Sequence, residues 1–192
     1  MSDLARVVAA LRAAPSVAVV SHVNPEGDAI GTTLAAALAL REAGKRTGAY
    51  NADPVPPGLR HLPGASEIRP RADRDRRYAC CLVVDTSDLS RAGGLVESFG
   101  PGTLVLNVDH HPGNSRFGAE NWVDPTASSA GEMVYRVLRE GGFPISPDAA
   151  ADLYAAILTD TGGFQYANTT VGSLRGLFTT MGESDVWLTL GI

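Results

Sequence analysis

The chain has 192 residues, 44% hydrophobic and 19% charged, with a formal net charge of −5. That length suits one domain, or one domain with an appendage, and is ample for a buried core. The apolar fraction excludes a disordered chain, and the acidic balance offers no general surface for duplex DNA. A local cluster of metal charge could still bind the phosphates of a short nucleic acid.

Leu4, Val7, Val8 and Leu11 fall at helical spacing over residues 3–13, and Pro15 stops that helix. Ser16 to Val20 reads as a short buried strand, and it leads into His22-Val23-Asn24-Pro25-Glu26-Gly27-Asp28. A helix follows from Ala29 to Ala43, stopped by Gly44. Its apolar run near Leu34 to Leu40 is far too short to cross a bilayer, and no basic-then-apolar leader precedes it, so neither a membrane span nor a secretory signal is expected. Lys45 to Ala52 fits a second strand. Prolines at 54, 56 and 57 then make a rigid loop, and Leu59 to Leu62 suggests one helical turn with His61 on the surface. Residues 69–77 interleave Arg69, Arg71, Arg74, Arg76 and Arg77 with Asp73 and Asp75, the pattern of a solvated loop.

Tyr78 to Val84 is a continuous apolar strand ending in Asp85-Thr86-Ser87-Asp88. It contains the only two cysteines, Cys80 and Cys81, which fit buried free thiols in a reducing cytoplasm. A helix around Leu89 to Phe99 returns to a strand at Leu104 to Val108, which stops at Asp109-His110-His111. Residues 112–125 read as a loop anchored by Trp122 and Val123. Capping hydroxyls at Thr126 to Ser129 introduce an amphipathic helix from Ala130 to Glu140. Ser146-Pro147-Asp148 starts another, which runs to Leu158 and is followed by Thr159-Asp160-Thr161-Gly162-Gly163. Residues 164–170 are extended or looped, and a last helix is expected over 170–180. Buried strands alternating with helices predict an α/β fold, a mostly parallel sheet with helices on both faces.

Ligands of an open parallel sheet bind beyond the carboxyl ends of its strands. Three predicted strands end there in acids or histidines: His22 to Asp28, Asp85, and Asp109-His110-His111. Asp160 follows a helix and precedes two glycines. By itself the Asp-His-His run reads as a polar strand end. Adjacent side chains on an extended segment point opposite ways, so His110 and His111 are expected to differ in role. Converging on one rim, these groups would make a strongly acidic pocket that needs cations. Mixed carboxylate and imidazole ligands suit Mn²⁺, with Mg²⁺ or Co²⁺ as substitutes. Five or six ligands are too many for one metal and about right for two, which stand roughly 3.5–4 Å apart in phosphoryl-transfer sites.

The four stretches containing His22 to Gly31, Val84 to Asp88, Val108 to His111 and Thr159 to Phe164 resemble the motifs of the DHH phosphoesterase superfamily. The run Asn121-Trp122-Val123-Asp124-Pro125-Thr126-Ala127-Ser128-Ser129 resembles the branch of bifunctional oligoribonucleases and 3′-phosphoadenosine 5′-phosphate (pAp) phosphatases. The resemblance spans roughly residues 5–175. It implies a two-Mn²⁺ phosphoesterase acting on short RNA oligomers or pAp, with pyrophosphate or dinucleotides as rival substrates. It assigns His22 and Glu26 to one metal, and Asp28, His110 and Asp160 to the other. Asp85 bridges the two, His111 faces the substrate phosphate, and Asp109 orients a histidine. The implied chemistry is direct in-line hydrolysis, and Ser87, Ser128 and Ser129 are not expected to act as nucleophiles. No duplex DNA or membrane partner is expected, and a homodimer is compatible with the sequence.

Two departures stand out. Glu26 occupies a position where the superfamily usually has Asp. The superfamily's smaller second domain, with its glycine-rich motif, is also expected to be absent. The phosphoesterase domain should then occupy residues 1–182, with a short tail over 183–192, as in a truncated chain whose cleft is open.

Overall fold

A computed structural model describes residues 1–72 and 76–172. Most of the expected 170–180 helix, the boundary at 182 and three members of the arginine-rich run (Asp73, Arg74, Asp75) lie outside these residues.

Among the described residues five strands form one sheet: β1 (Ser16–Val20), β2 (Arg46–Tyr50), β3 (Cys80–Val84), β4 (Leu104–Asp109) and β5 (Glu120–Val123). Their order is β2-β1-β3-β4-β5, and every pairing is parallel. Residues in β1 and β3 are buried throughout because helices or turns cover both sides, which is why these strands are apolar without alternation.

The helices are α1 (Asp3–Ala13), α2 (Gly27–Glu42), α3 (Leu95–Ser98), α4 (Ala130–Gly141) and α5 (Pro147–Asp160). Apolar stripes of α1, α2 and α4, including Val7, Leu11, Leu40, Met133 and Val137, pack on Val17, Val19, Leu82 and Leu106. Among the described residues the opposite face carries short elements, a turn over Leu89–Ala92 and the one-turn helix α3. Ala92, Leu95, Val96 and Phe99 cover Ala18, Val20, Cys81 and Val83. The helix expected over Leu89 to Phe99 is divided there, because Gly93 and Gly94 adopt left-handed φ of 64° and 75°. Tyr50, Tyr78 and Phe99 complete that layer edge to face, at centroid separations of 5.1–6.0 Å.

α5 packs against α2 rather than the sheet. A Cβ at Gly31 would lie 2.4 Å from the Asp152 carbonyl oxygen, so the two backbones approach too closely for any side chain there. Cys80 and Cys81 are buried free thiols, and His61 is exposed. Among the described residues no helix is long and apolar enough to cross a membrane.

The loop expected over 112–125 needs correction, since Glu120–Val123 pairs with β4 as a parallel edge strand. Parallel neighbours are usually joined through a helix. Here residues 110–119 cross over without one, so neither a helical pattern nor a long apolar run announces the strand. Trp122 is its one buried residue, and Arg136 lies 4.8 Å above the indole ring.

From β1 the chain moves outward to β2 and then returns to the other side of β1 for β3. The reversal leaves a crevice beyond the carboxyl ends of β1 and β3.

Candidate metal centre

His22 leaves the end of β1 and Asp85 the end of β3, so the two meet at that crevice. His22 Nε2 lies 3.2 Å from Asp85 Oδ2 and 3.3 Å from Glu26 Oε2. Its Nδ1 lies 2.7 Å from the Val23 carbonyl oxygen, an acceptor only, so Nδ1 carries a proton and Nε2 is left facing the two acids. Glu26 has a double duty. It is the N-cap of α2, where Oε1 accepts from the Ala29 amide at 3.2 Å while Oε2 faces His22.

A second group forms around His110. Its Nε2 lies 3.6 Å from Asp85 Oδ1, 3.5 Å from Asp160 Oδ2 and 3.9 Å from Asp28 Oδ2. The two oxygens of Asp85 therefore serve different histidines. Asp85 holds this position with a left-handed φ of 50°, a strained backbone for a non-glycine residue. Asp28, in the first turn of α2, is buried against the N-terminus of α4. Its oxygens accept from the Ala130 amide at 2.7 Å, the Gly131 amide at 2.9 Å and the Thr32 hydroxyl at 3.0 Å. Asp160 is the last residue of α5. An acid at a helix carboxyl end is disfavoured by the helix dipole, so local stability does not explain it.

His111 Nδ1 lies 2.8 Å from Asp109 Oδ1. Its side chain is 38% exposed, against 16% for His110, and it is the more open of the two to a ligand. The expectation that the two rings diverge holds only in part. Strand alternation ends at Asp109, and the rings meet edge to face at 4.8 Å, with His111 Nδ1 also 3.8 Å from Asp85 Oδ1. His22, Glu26, Asp28, Asp85, His110, His111 and Asp160 come together, with Asp109 behind His111, and among the described residues their ligand atoms fall into three overlapping groups: His22, Glu26, Asp85; Asp85, His110, His111; and Asp28, His110, Asp160.

Two residues were missed. Asn114 donates from Nδ2 to Asp109 Oδ2 at 2.7 Å and to Asn107 Oδ1 at 2.8 Å, locking the acid that holds His111. Asn51, fully buried after β2, donates to the Ser21 hydroxyl at 2.9 Å and to the His22 carbonyl at 2.8 Å. Both are short amides next to strand ends, where such side chains bind local backbone; that was the available signal.

The electrostatics of the metal-free cluster are strained. Burial raises the Asp28 carboxyl well above its usual range, and the charges of Asp85 and Asp160 push it further. Asp160 is raised by burial and, more weakly, by Asp85 and Glu26. For Asp85 burial opposes ionisation, but hydrogen bonds from His110 and His22 outweigh it and hold the group well below the usual carboxylate range. Burial lowers His22, yet Asp85 and Glu26 overcome this and carry it to about 10. His110 reaches about 9 through Asp85, Asp28 and Asp160, again against burial. The Asp109 hydrogen bond raises His111. Crowded carboxylates thus compete for protons that cations would replace, and the oxygen-rich, imidazole-containing donor set fits divalent first-row metals.

A sequence model described as "DHH family, N-terminal domain" matches residues 16–157. The chain is 37% identical over 158 residues to a Thermus thermophilus protein named bifunctional oligoribonuclease and PAP phosphatase NrnA, covering 82% of this chain and 47% of that one. A Bacillus subtilis protein of the same name is 31% identical over 157 residues, covering 80% and 49%. The chain spans about half the length of these curated relatives. An exopolyphosphatase-related protein from Bacteroides fragilis shares the fold, with a TM-score of 0.82 at 24% identity over 96% of this chain and 58% of that one.

Proposed function

The chain belongs to the DHH family, and from that premise we propose that it is a two-metal phosphoesterase. Its substrates are short oligoribonucleotides, hydrolysed to 5′-mononucleotides, and pAp, hydrolysed to AMP. The names of the relatives support the substrates. The observation that carries the reading is Asp85, whose two oxygens face two separate donor sets.

In this reading His22 and Glu26 hold one cation, Asp28, His110 and Asp160 hold the other, and Asp85 holds both. Mn²⁺ suits the mixed donors best, with Mg²⁺ or Co²⁺ as substitutes. Bound there, the cations supply a water of lowered pKa and neutralise charge on the phosphoryl oxygens. The protein's own work is positioning. Val23 fixes the His22 tautomer, and the first-turn amides of α4 fix both oxygens of Asp28. Asp109 accepts from His111 Nδ1 and raises the ring's affinity for a proton, which favours a donor at Nε2 for a nonbridging phosphoryl oxygen. The buried free thiols support a reducing, cytoplasmic setting.

The Mn²⁺-loaded protein should be assayed in parallel on a five-nucleotide RNA, pAp and pyrophosphate. Release of 5′-mononucleotides and of AMP is expected, and Asp85→Ala should abolish both. Cleavage of pyrophosphate alone would overturn the substrate assignment, and appreciable hydrolysis by Asp85→Ala would overturn the shared-ligand role.

A further inference from the structure

Beyond the carboxyl end of β2, beside the His22 loop, lies a cavity of about 410 Å³. Its floor and walls are mainly apolar, with Ala52, Pro54, Val55 and Ile68 among them, and its polar groups are few: Asn51, Asp53, Arg60 and Ser66. That volume and lining suit a small organic group with a few directional contacts.

The cavity is joined to the metal centre by shared residues. Asn51 lines it, and the same side-chain amide holds the His22 carbonyl at 2.8 Å. Asp53 lines it and accepts from the Asn24 amide at 2.7 Å, inside the loop between His22 and Glu26. Ala52 packs where a Cβ on Gly93 would collide, beside Val23. Because β1 and β2 are parallel neighbours, their carboxyl ends open on the same rim. The cavity and His22 therefore share one rim, joined through Asn51 and Asp53.

The cavity's chemistry selects among possible occupants. An apolar trough suits the faces of a heteroaromatic ring, while the Asp53 carboxylate and Ser66 hydroxyl can meet its polar edge. Arg60 donates Nε–H to the Val55 carbonyl at 3.3 Å, and no carboxylate among the described residues pairs with it. Its remaining guanidinium donors suit an anion, and phosphate matches their planar fork. Ring and anion together describe a nucleoside carrying a second phosphate. Both substrate types of the proposed reaction have that form, with one phosphoryl group at the metals and another across the sugar.

We propose that this cavity is a nucleotide subsite that seats the base and sugar of the substrate and uses Arg60 to hold the phosphate not being hydrolysed. The proposal rests on the phosphoesterase reading and supplies its missing source of substrate selectivity.

Two variants test it, Ser66→Trp, which places bulk into the cavity from an exposed turn, and Arg60→Ala. The Mn²⁺-loaded proteins are assayed on an RNA dinucleotide with a 5′-phosphate and on bis(p-nitrophenyl) phosphate, a diester without base or sugar. Binding of AMP is followed by calorimetry. We expect each variant to lower the ratio of kcat/KM for the dinucleotide to that for the aryl diester about tenfold, through KM, and to weaken AMP binding by a similar factor. An unchanged ratio in both variants overturns the proposal. If the unaltered protein hydrolyses neither compound, the phosphoesterase reading has failed and calorimetry alone decides the subsite. Weaker AMP binding in the variants then supports it, and equal or absent AMP binding overturns it.

Discussion

Glu26 and His22 face one another across 3.3 Å while the second oxygen of Glu26 caps helix α2. The residue that departs from the superfamily's usual aspartate thus has a physical use for its extra methylene. One oxygen reaches the backbone three residues ahead, and the other remains at the candidate metal position. Glu26→Gln preserves the reach and removes the charge. We expect it to weaken one of two Mn²⁺ binding events about 10- to 100-fold and leave the other, as read by isothermal calorimetry. Glu26→Ala also removes the cap and should lower stability by about 1 kcal/mol in thermal unfolding. Equal weakening of both binding events by Glu26→Gln would contradict its assignment to one cation.

Metal affinity should rise with pH. In the metal-free chain His22 and His110 hold protons to about 10 and 9, against an ordinary 6.5. Both folded values lie above the unfolded one, so their contribution to stability is complete below pH 6.5 and is lost as pH rises through 9 and 10. The melting temperature in EDTA should therefore fall across that interval. Cations need the neutral rings, so Mn²⁺ binding should release protons and tighten from pH 6 to pH 8. Calorimetry in buffers of different ionisation enthalpy measures the release, and proton-neutral binding at pH 7 would contradict these partners.

Asn114 should affect rate more than metal content. It touches Asp109, which in turn holds His111. We expect Asn114→Ala to lower kcat about 10- to 100-fold with two metals still bound. The pH profile should move with it, since a loosened Asp109 retains the His111 proton less well. A loss of metal in proportion to rate would place Asn114 in general folding instead.

Asp152 offers a stability test away from the rim. It is fully buried on α5, and among the described residues neither of its oxygens has a hydrogen-bond partner. Burial, and secondarily Asp148, raises its pKa from 3.8 to about 9. Because the folded value is the higher one, stability declines from about pH 4 and levels off above about pH 9. Asp152→Asn has nearly the same shape and no charge, so it should be more stable by on the order of a few kcal/mol at pH 8 and gain nothing at pH 3.5. Denaturant melts at the two pH values check this, and an equal effect at both would contradict it.

The sheet and its rim were largely legible because each signal was local. Ser16 to Val20, Tyr78 to Val84 and Leu104 to Val108 are mainly apolar runs that lead to His22, Asp85 and Asp109, and a parallel sheet brings such ends together. β5 was hidden because only Trp122 of its four residues is buried and no helix precedes it. The divided Leu89 to Ser98 segment was hidden because its length gave a helical pattern that two left-handed glycines interrupt. The roles of Asn51 and Asn114 depend on partners 29 residues back and 5 to 7 residues back, respectively, which side-chain type alone does not identify.

The helix-free connection from β4 to β5 also fixes its own length. Surface loops ordinarily tolerate insertions and deletions. Residues 110–119 hold both histidines and Asn114, and the same ten residues set the pairing of Asp109 with Val123 and Val108 with Trp122. Removing one residue would either turn the histidines from the rim or slip the edge strand so that Trp122 faces the wrong side. Among descendants of this gene, changes in loop length should remain rare between Asp109 and Glu120.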